Sequence, residues 1–318
     1  MLTADEQLEL RLLEVRDKRR RIISREWSGL SACQREASQA SQTHKYTLFG
    51  GSRGPGKSYW LRHEGISALV ELAEQGIKRP VGGLFCEDYP SLTDRQISKI
   101  AVEFPDWLGL LGKSKEFGLA FHLYPCFGGG VLRLRNLDDA SKYKSAEFAW
   151  IAVDELTKNV LEKFNVLRGS LRWPGVEVPR FCAGTNPGEI GHLWVRAYWI
   201  DGEFPTEMLP IADQFAFVRA LPGDNPYLSA DYWDMLNSLP PDLARAWRDG
   251  DWDVFEGQFF TELRREIHGF TGDPPPGWTF RCLDYGESAP SAVYWCRVDY
   301  DGDVWLYREL YGAGMIYS

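Results

Sequence analysis

The segment FGGSRGPGKSYW, Phe49 to Trp60, constrains the fold of this chain more than any other stretch. Gly51 to Ser58 read G-S-R-G-P-G-K-S, a full match to GxxxxGK[ST]. In that pattern successive backbone N–H groups turn towards phosphate oxygens at a helix amino terminus, where the helix dipole also favours negative charge. It requires a strand before the loop and a helix after it. YTLFGG precedes the loop, and SYWLRHEGISALVELAEQGI, with helical periodicity, follows it. Gly51, Ser52, Arg53, Gly54, Pro55, Gly56, Lys57 and Ser58 are therefore candidate phosphate-binding residues. Lys57 is placed to neutralise the β- and γ-phosphates of a nucleotide such as ATP, and Ser58 to ligate its Mg2+. Pro55 has no N–H to offer, which costs about 1–2 kcal/mol where nothing compensates.

Further apolar runs complete the pattern. VGGLFCE, GGVLRLRNL, FAWIAVDEL and VPRFCAGTNP read as buried strands separated by helical or mixed segments. That alternation predicts an α/β domain with a mainly parallel sheet. FAWIAVDE ends in two carboxylates. Asp154, at the strand end, suits the Mg2+ shell, and Glu155 suits activation of an attacking water. The alternative is that the pair merely starts a helix, where acids are favoured. In GTNPG, Thr185 and Asn186 are candidates for sensing the γ-phosphate and coupling its loss to movement, or for a simple Asn-Pro turn. Arg168 and Arg172, in NVLRGSLRW, are candidates for a transition-state arginine, in the same chain or a neighbouring subunit, or for surface helix charges.

Composition excludes several classes. Hydrophobic residues make up 44% and charged residues 25%, a globular balance. No apolar run reaches the roughly 18–20 residues of a membrane span. The charged start MLTADEQLELRLLEVRDKRRR lacks the apolar core of a secretory signal, so a cytosolic protein is expected. The six cysteines, at 33, 86, 126, 182, 282 and 296, form no CxxC pair and read as reduced, mostly buried thiols. A net charge of −9 argues against a protein that simply coats nucleic acid, while leaving room for a local basic face.

Residues 5–26 read as a charged helix with a thin apolar stripe, and RDKRRRIISR within it is strongly basic, either a solvated face or a phosphate contact. The polar, helical region GDNPYLSADYWDMLNSLPPDLARAWRDGDWD closes the α/β domain. Three consecutive prolines mark a linker, and WTFRCLDYG, SAVYWCRVD and DVWLYREL then read as an antiparallel meander with a YDGD turn. The expected organisation is a helical segment over 1–29, a nucleotide-binding domain over 30–254, a linker over 255–277 and a second domain opening at 278–318.

On these motifs the chain resembles the large terminase subunit of tailed bacteriophages from about residue 30 onwards. ACQREA, with Gln34, resembles the adenine-contacting segment of that family, and IAVDELT its acidic strand end. GTNPGEIGHLWVRAYWI resembles its coupling motif, DNPYL and GDWDVFEGQFF the close of its ATPase domain, and CLDYGESAPSAVYWCRVDYDGDVWLYREL the opening of its RNase H-like nuclease domain. The resemblance implies an ATPase that works as a homo-oligomeric ring on a portal protein, with a small terminase subunit, translocating double-stranded DNA in the cytoplasm of a bacterial host and docking transiently on the procapsid. It also implies a nuclease using a pair of divalent metal ions. Asp284 matches the first nuclease carboxylate. The other acids of the family lie beyond residue 318, and Glu309 is read as structural, so no DNA cleavage is expected from this chain. Arg53 fits the family's basic residue within the phosphate loop, a candidate transition-state charge in cis. Two other readings stand beside this one: a helicase-like P-loop ATPase, and a nucleotide-holding assembly protein without turnover.

Overall fold

Strands that are apolar at successive positions must be covered on both faces, and the computed structural model covers them so. It describes residues 3–253, 265–286 and 291–312. Contacts divide the chain into two compact units, Met1–Thr261 and Glu262–Ser318.

In the first unit, helices α1 (Ala4–Ile23) and α2 (Ala32–Thr43) precede strand β1 (Tyr46–Gly51). Helix α3 (Lys57–Glu74) leads to β2 (Val81–Cys86), then α4 (Tyr89–Leu92), a π-helical turn (Thr93–Ile97) and α5 (Ser98–Glu103). Strands β3 (Gly109–Ser114), β4 (Gly118–Leu123), β5 (Val131–Asn136) and β6 (Trp150–Asp154) follow. The unit continues with α6 (Leu161–Ser170), β7 (Arg180–Thr185), α7 (His192–Val195), β8 (Phe215–Ala220), α8 (Ala230–Asn237) and α9 (Pro241–Trp247).

The eight strands form one sheet in the order β3-β4-β5-β2-β6-β7-β1-β8. From β5 to β8 all neighbours are parallel, and β4 runs antiparallel to both β3 and β5. Alternation sends successive side chains to opposite faces. Phe49, Leu84, Trp150 and Cys182 join the core under α3, while Leu48, Phe85, Ile151 and Phe181 join the core under α6. Gly65 sets how closely α3 approaches: a Cβ there would lie 2.8 Å from the Trp150 ring. A mid-helix glycine costs roughly 0.5–1 kcal/mol, and the tryptophan beneath it is the reason for its presence.

The parallel strands carry their carboxyl ends to one edge, where an open α/β sheet gathers its ligand-binding groups. Three strands, β3, β4 and β8, were not read from the sequence. GLLGKS is interrupted by glycine and half exposed at the sheet edge, so it lacks the strict alternation that marks a strand.

The second unit is a three-stranded antiparallel sheet, β9 (Gly277–Asp284), β10 (Ser291–Asp299) and β11 (Val304–Gly312), in the order β11-β10-β9. The YDGD turn is closed by the Asp299 carboxylate, which accepts from the N–H groups of Asp301 and Asp303 at 3.0 and 2.9 Å. All six cysteines are free thiols, with Cys86, Cys182 and Cys296 buried and Cys126 and Cys282 exposed. Among the described residues no helix is long and apolar enough to cross a membrane.

Candidate nucleotide site

The loop between β1 and α3 follows from its glycines. Gly51, Gly54 and Gly56 take φ of 136°, 101° and 84°, values that L side chains rarely adopt. Pro55 sits between two of them with its own φ locked by its ring. It thereby stiffens a loop that glycine would otherwise leave loose, a benefit not visible in its missing N–H.

Side chains and backbone groups brace the loop through its polar atoms. Ser52 donates to the Ala220 carbonyl at the end of β8, through its N–H at 2.9 Å and its hydroxyl at 2.8 Å. Asn225 donates to the Gly54 carbonyl at 2.6 Å. The Gln34 amide donates to the carbonyls of Pro55 and Gly56 at 3.3 and 3.0 Å, while its oxygen accepts from Ser31 N–H at 2.9 Å. Gln34, expected to contact adenine, therefore spends its amide on the loop and on the cap of α2. A Cβ at Gly56 would come within 2.5 Å of that amide. Around this corner lies a cavity of about 340 Å³ lined by Gly29, Gln34, Tyr59 and Tyr227 among others. Arg53 is exposed, its N–H donates to the Trp247 carbonyl at 2.8 Å, and its guanidinium stacks 3.2 Å from the Trp247 ring centroid. The residue expected to supply charge to the site is held here on α9.

Inside the loop, buried Lys57 donates to the Ser52 carbonyl and, at 2.7 Å, to Asn186 Oδ1. Burial pushes its pKa down, against the pull of Glu155 and Asp154. The Ser58 hydroxyl stands 3.0 Å from both oxygens of Asp154. Asp154, fully buried at the end of β6, also accepts from Gln96 Nε2 at 2.7 Å, and Gln96 accepts in turn from Arg62 at 3.2 Å. The serine hydroxyl and aspartate carboxylate are hard oxygen donors converging beside the loop, which suits Mg2+.

Glu155 does not begin a regular helix. It takes the left-handed conformation at φ 54° before a short 3-10 turn, a strain of about 1–3 kcal/mol for a non-glycine residue. Burial raises its pKa, with Lys57 opposing. Asn186 Nδ2 lies 3.4 Å from both of its carboxylate oxygens. Thr185 ties the two strand ends together, its hydroxyl meeting the Thr157 hydroxyl at 2.6 Å and accepting from Thr157 N–H at 3.1 Å. The structure thus brings Lys57, Ser58, Asp154, Glu155, Thr185 and Asn186 to one place.

Arg168 and Arg172 lie elsewhere. Arg168 donates to Met208 Sδ at 3.2 Å and acts electrostatically on Lys45 and Tyr46, at the start of β1. The phosphate loop leaves the other end of that strand, about 20 Å away at roughly 3.3 Å per residue. Arg172 is paired with Glu147, ahead of β6, at 2.9 Å on the surface. Neither serves the phosphate loop of its own chain. The basic segment 16–25 is partly paired: Arg25, just past α1, is buried against Glu64 at 2.7 Å and Glu71 at 3.0 Å, Arg19 pairs with Glu74, and Arg20 pairs with Asp17 on the exposed helix surface.

In the second unit Asp284 ends β9 opposite Ala292, and Glu309 lies opposite Tyr294, whose hydroxyl it engages. Among the described residues no group of three or more His, Cys, Asp or Glu side chains is arranged to hold a metal.

Sequence reasoning missed Glu87, Arg95 and Gln96. For Glu87 the available signal was its position directly after β2, on the ligand-binding edge of the sheet; Arg95 and Gln96, beyond α4, carried none.

Sheet order, glycine loop and α3 together place the chain in the class of P-loop α/β folds. No protein-family model matches it, and neither does any curated protein. Solved structures are more informative. The large terminase from the thermophilic bacteriophage D6E superimposes with a TM-score of 0.56 at 15% identity, covering 90% of this chain and 69% of that one. The same terminase in complex with ATP-gamma-S gives 0.53 at 15% identity, covering 90% and 68%. Its ADP complex gives 0.52 at 14% identity, covering 90% and 69%. The fold is that of a large terminase.

Proposed function

We propose that this chain binds and hydrolyses ATP as the motor subunit of a DNA-packaging terminase. The observation that carries the reading is the chain of contacts Lys57–Asn186–Glu155, set beside the Ser58–Asp154 pair. It joins a phosphate-binding ammonium to a carboxylate able to take a proton. The loop N–H groups and Lys57 would bind the phosphates. Ser58 and Asp154 would hold Mg2+, which supplies positive charge at the phosphate oxygens. Glu155 would orient water towards the γ-phosphorus and accept its proton as the bond to the β-phosphate oxygen breaks, leaving ADP and phosphate. Asn186 would register the departure of phosphate, because it touches both Lys57 and Glu155.

The terminase fold supports the wider reading: double-stranded DNA as the cargo, a ring of subunits on a portal protein, a small terminase subunit as partner, and work in the cytoplasm of a bacterial host. In this reading Arg53 would leave Trp247 to meet the nucleotide, and Arg168 or Arg172 would act on a neighbouring subunit. The second unit would open a nuclease domain, with Asp284 a ligand of its metal pair. Phosphate release tests the core of the reading. The parent should hydrolyse ATP only with Mg2+, and Lys57→Ala and Glu155→Gln should abolish turnover. Hydrolysis at the parental rate in both variants would overturn it.

A further inference from the structure

We propose that Arg95 is the positioning residue for Glu155, an assignment that rests on the hydrolysis reading above. Arg95 sits on the π-helical turn Thr93–Ile97, and such turns recur at functional sites because they widen the helix. On an ordinary helix neighbouring side chains point about 100° apart. Here two consecutive residues reach the same atom: Gln96 donates to Asp154 Oδ2 at 2.7 Å, and Arg95 Nε stands 3.8 Å from it. Of the two terminal nitrogens, Nη1 lies 4.0 Å from Glu155 Oε1 and Nη2 pairs with Glu87.

Three features separate this group from an ordinary surface ion pair. Its Nε is buried without a hydrogen-bond partner, so it makes an incomplete contact that a small shift towards Asp154 would close. Its anchor is itself held, since Glu87 accepts from Lys158 Nζ and from the Ser91 hydroxyl, both at 2.9 Å. The carboxylate it faces extends from a strained backbone, and its contact with Asn186 is long, at 3.4 Å. Arg95 supplies a second tether, from Glu87 through the guanidinium to Glu155. It touches no reacting atom and acts by fixing where the Glu155 carboxylate stands.

The test compares Arg95→Gln, Arg95→Lys and Glu87→Gln with the parent in steady-state ATP hydrolysis, together with mant-ADP binding in EDTA and thermal melting. Groups that orient site ligands typically cost 10–100-fold in activity when removed. Arg95→Gln should therefore lower kcat by about that factor, with KM and mant-ADP affinity within about twofold of the parent. Arg95→Lys, which keeps the charge but not the fork, should recover part of the loss. Glu87→Gln, which loosens the anchor without touching Asp154 or Glu155, should lower kcat less at unchanged KM, and it carries the test if Arg95→Gln does not fold. Parental kcat in Arg95→Gln or in Glu87→Gln overturns the inference. So does a joint loss of kcat, mant-ADP affinity and melting temperature, which marks a merely structural group, and so does Arg95→Lys no better than Arg95→Gln. A parent chain without turnover instead overturns the hydrolysis reading, and the inference falls with it.

Discussion

Lys57 and Asn186, 129 residues apart in sequence, meet at 2.7 Å with the lysine ammonium donating to the asparagine amide oxygen. The other end of that amide faces both oxygens of Glu155 at 3.4 Å. One neutral side chain therefore bridges the cation that would bind phosphate and the anion that would activate water. Asn186→Ala is expected to lower kcat roughly 10–100-fold while leaving nucleotide affinity close to parental, because the phosphate-binding groups are untouched. Asn186→Asp should be worse still, since it keeps the bond to Lys57 and places a negative charge beside Glu155. Nucleotide titration alongside steady-state kinetics separates the two effects, and equal losses of affinity and turnover would contradict this role.

Gln34 braces the phosphate loop through the carbonyls of Pro55 and Gly56. Its loss removes up to two hydrogen bonds, about 1 kcal/mol each. Gln34→Ala should weaken ATP and GTP binding by a similar factor, on the order of tenfold. A glutamine reading the adenine edge would instead cost affinity for ATP alone. Competition binding with the two nucleotides decides between them.

How far the site was legible before the fold was known depended on how local each signal was. The loop from Gly51 to Ser58, the acids at the end of β6 and the Thr-Asn pair at the end of β7 could be named because each rests on a short pattern at a strand end. Gln34 was named for a contact with adenine and not for its bracing of the loop: its capping of α2 is local, but the carbonyls it serves lie more than twenty residues away. Arg95 and Gln96 carried no pattern, and only the sheet order that sets β2 beside β6 brings them to Asp154. Of the strands, β1, β2, β5, β6 and β7 stood out as buried apolar runs. The edge hairpin of β3 and β4, half polar and split by glycine, did not.

Acid should destabilise the first unit through two buried histidines. Burial pushes both His63 and His192 down to about 4 from an ordinary value of 6.5, with Arg62 and Arg196 adding repulsion. A depressed histidine is neutral in the folded state, so its contribution is complete above about pH 6.5 and is lost as pH falls towards about 4. Each contributes on the order of 3 kcal/mol across that window. His192 Nδ1 accepts from Gly188 N–H at 2.9 Å, and its Nε2 meets the Trp252 carbonyl at 3.1 Å. A melting-temperature profile against pH should be flatter on its acid side for His192→Gln than for the parent. Superimposable profiles would show that this histidine stays paired when protonated.

Gly65 and Trp150 fix the spacing of α3 on the sheet. Gly65→Ala gains helix propensity, at most about 1 kcal/mol, but drives a methyl into the indole. Overpacking of this kind costs about 1–3 kcal/mol, so the melting temperature should fall by a few degrees. A rise would mean that α3 moves away without penalty.

The central claim is that Glu155 activates water while Lys57 and its loop hold the phosphates, and one measurement separates these roles directly. Glu155→Gln protein is mixed with radiolabelled ATP and Mg2+, recovered by rapid filtration, and the retained nucleotide is identified by chromatography. Retained ATP, at an affinity close to that of the parent and with little ADP formed, is the predicted result. ADP appearing at the parental rate would contradict it and assign the chemistry to another group.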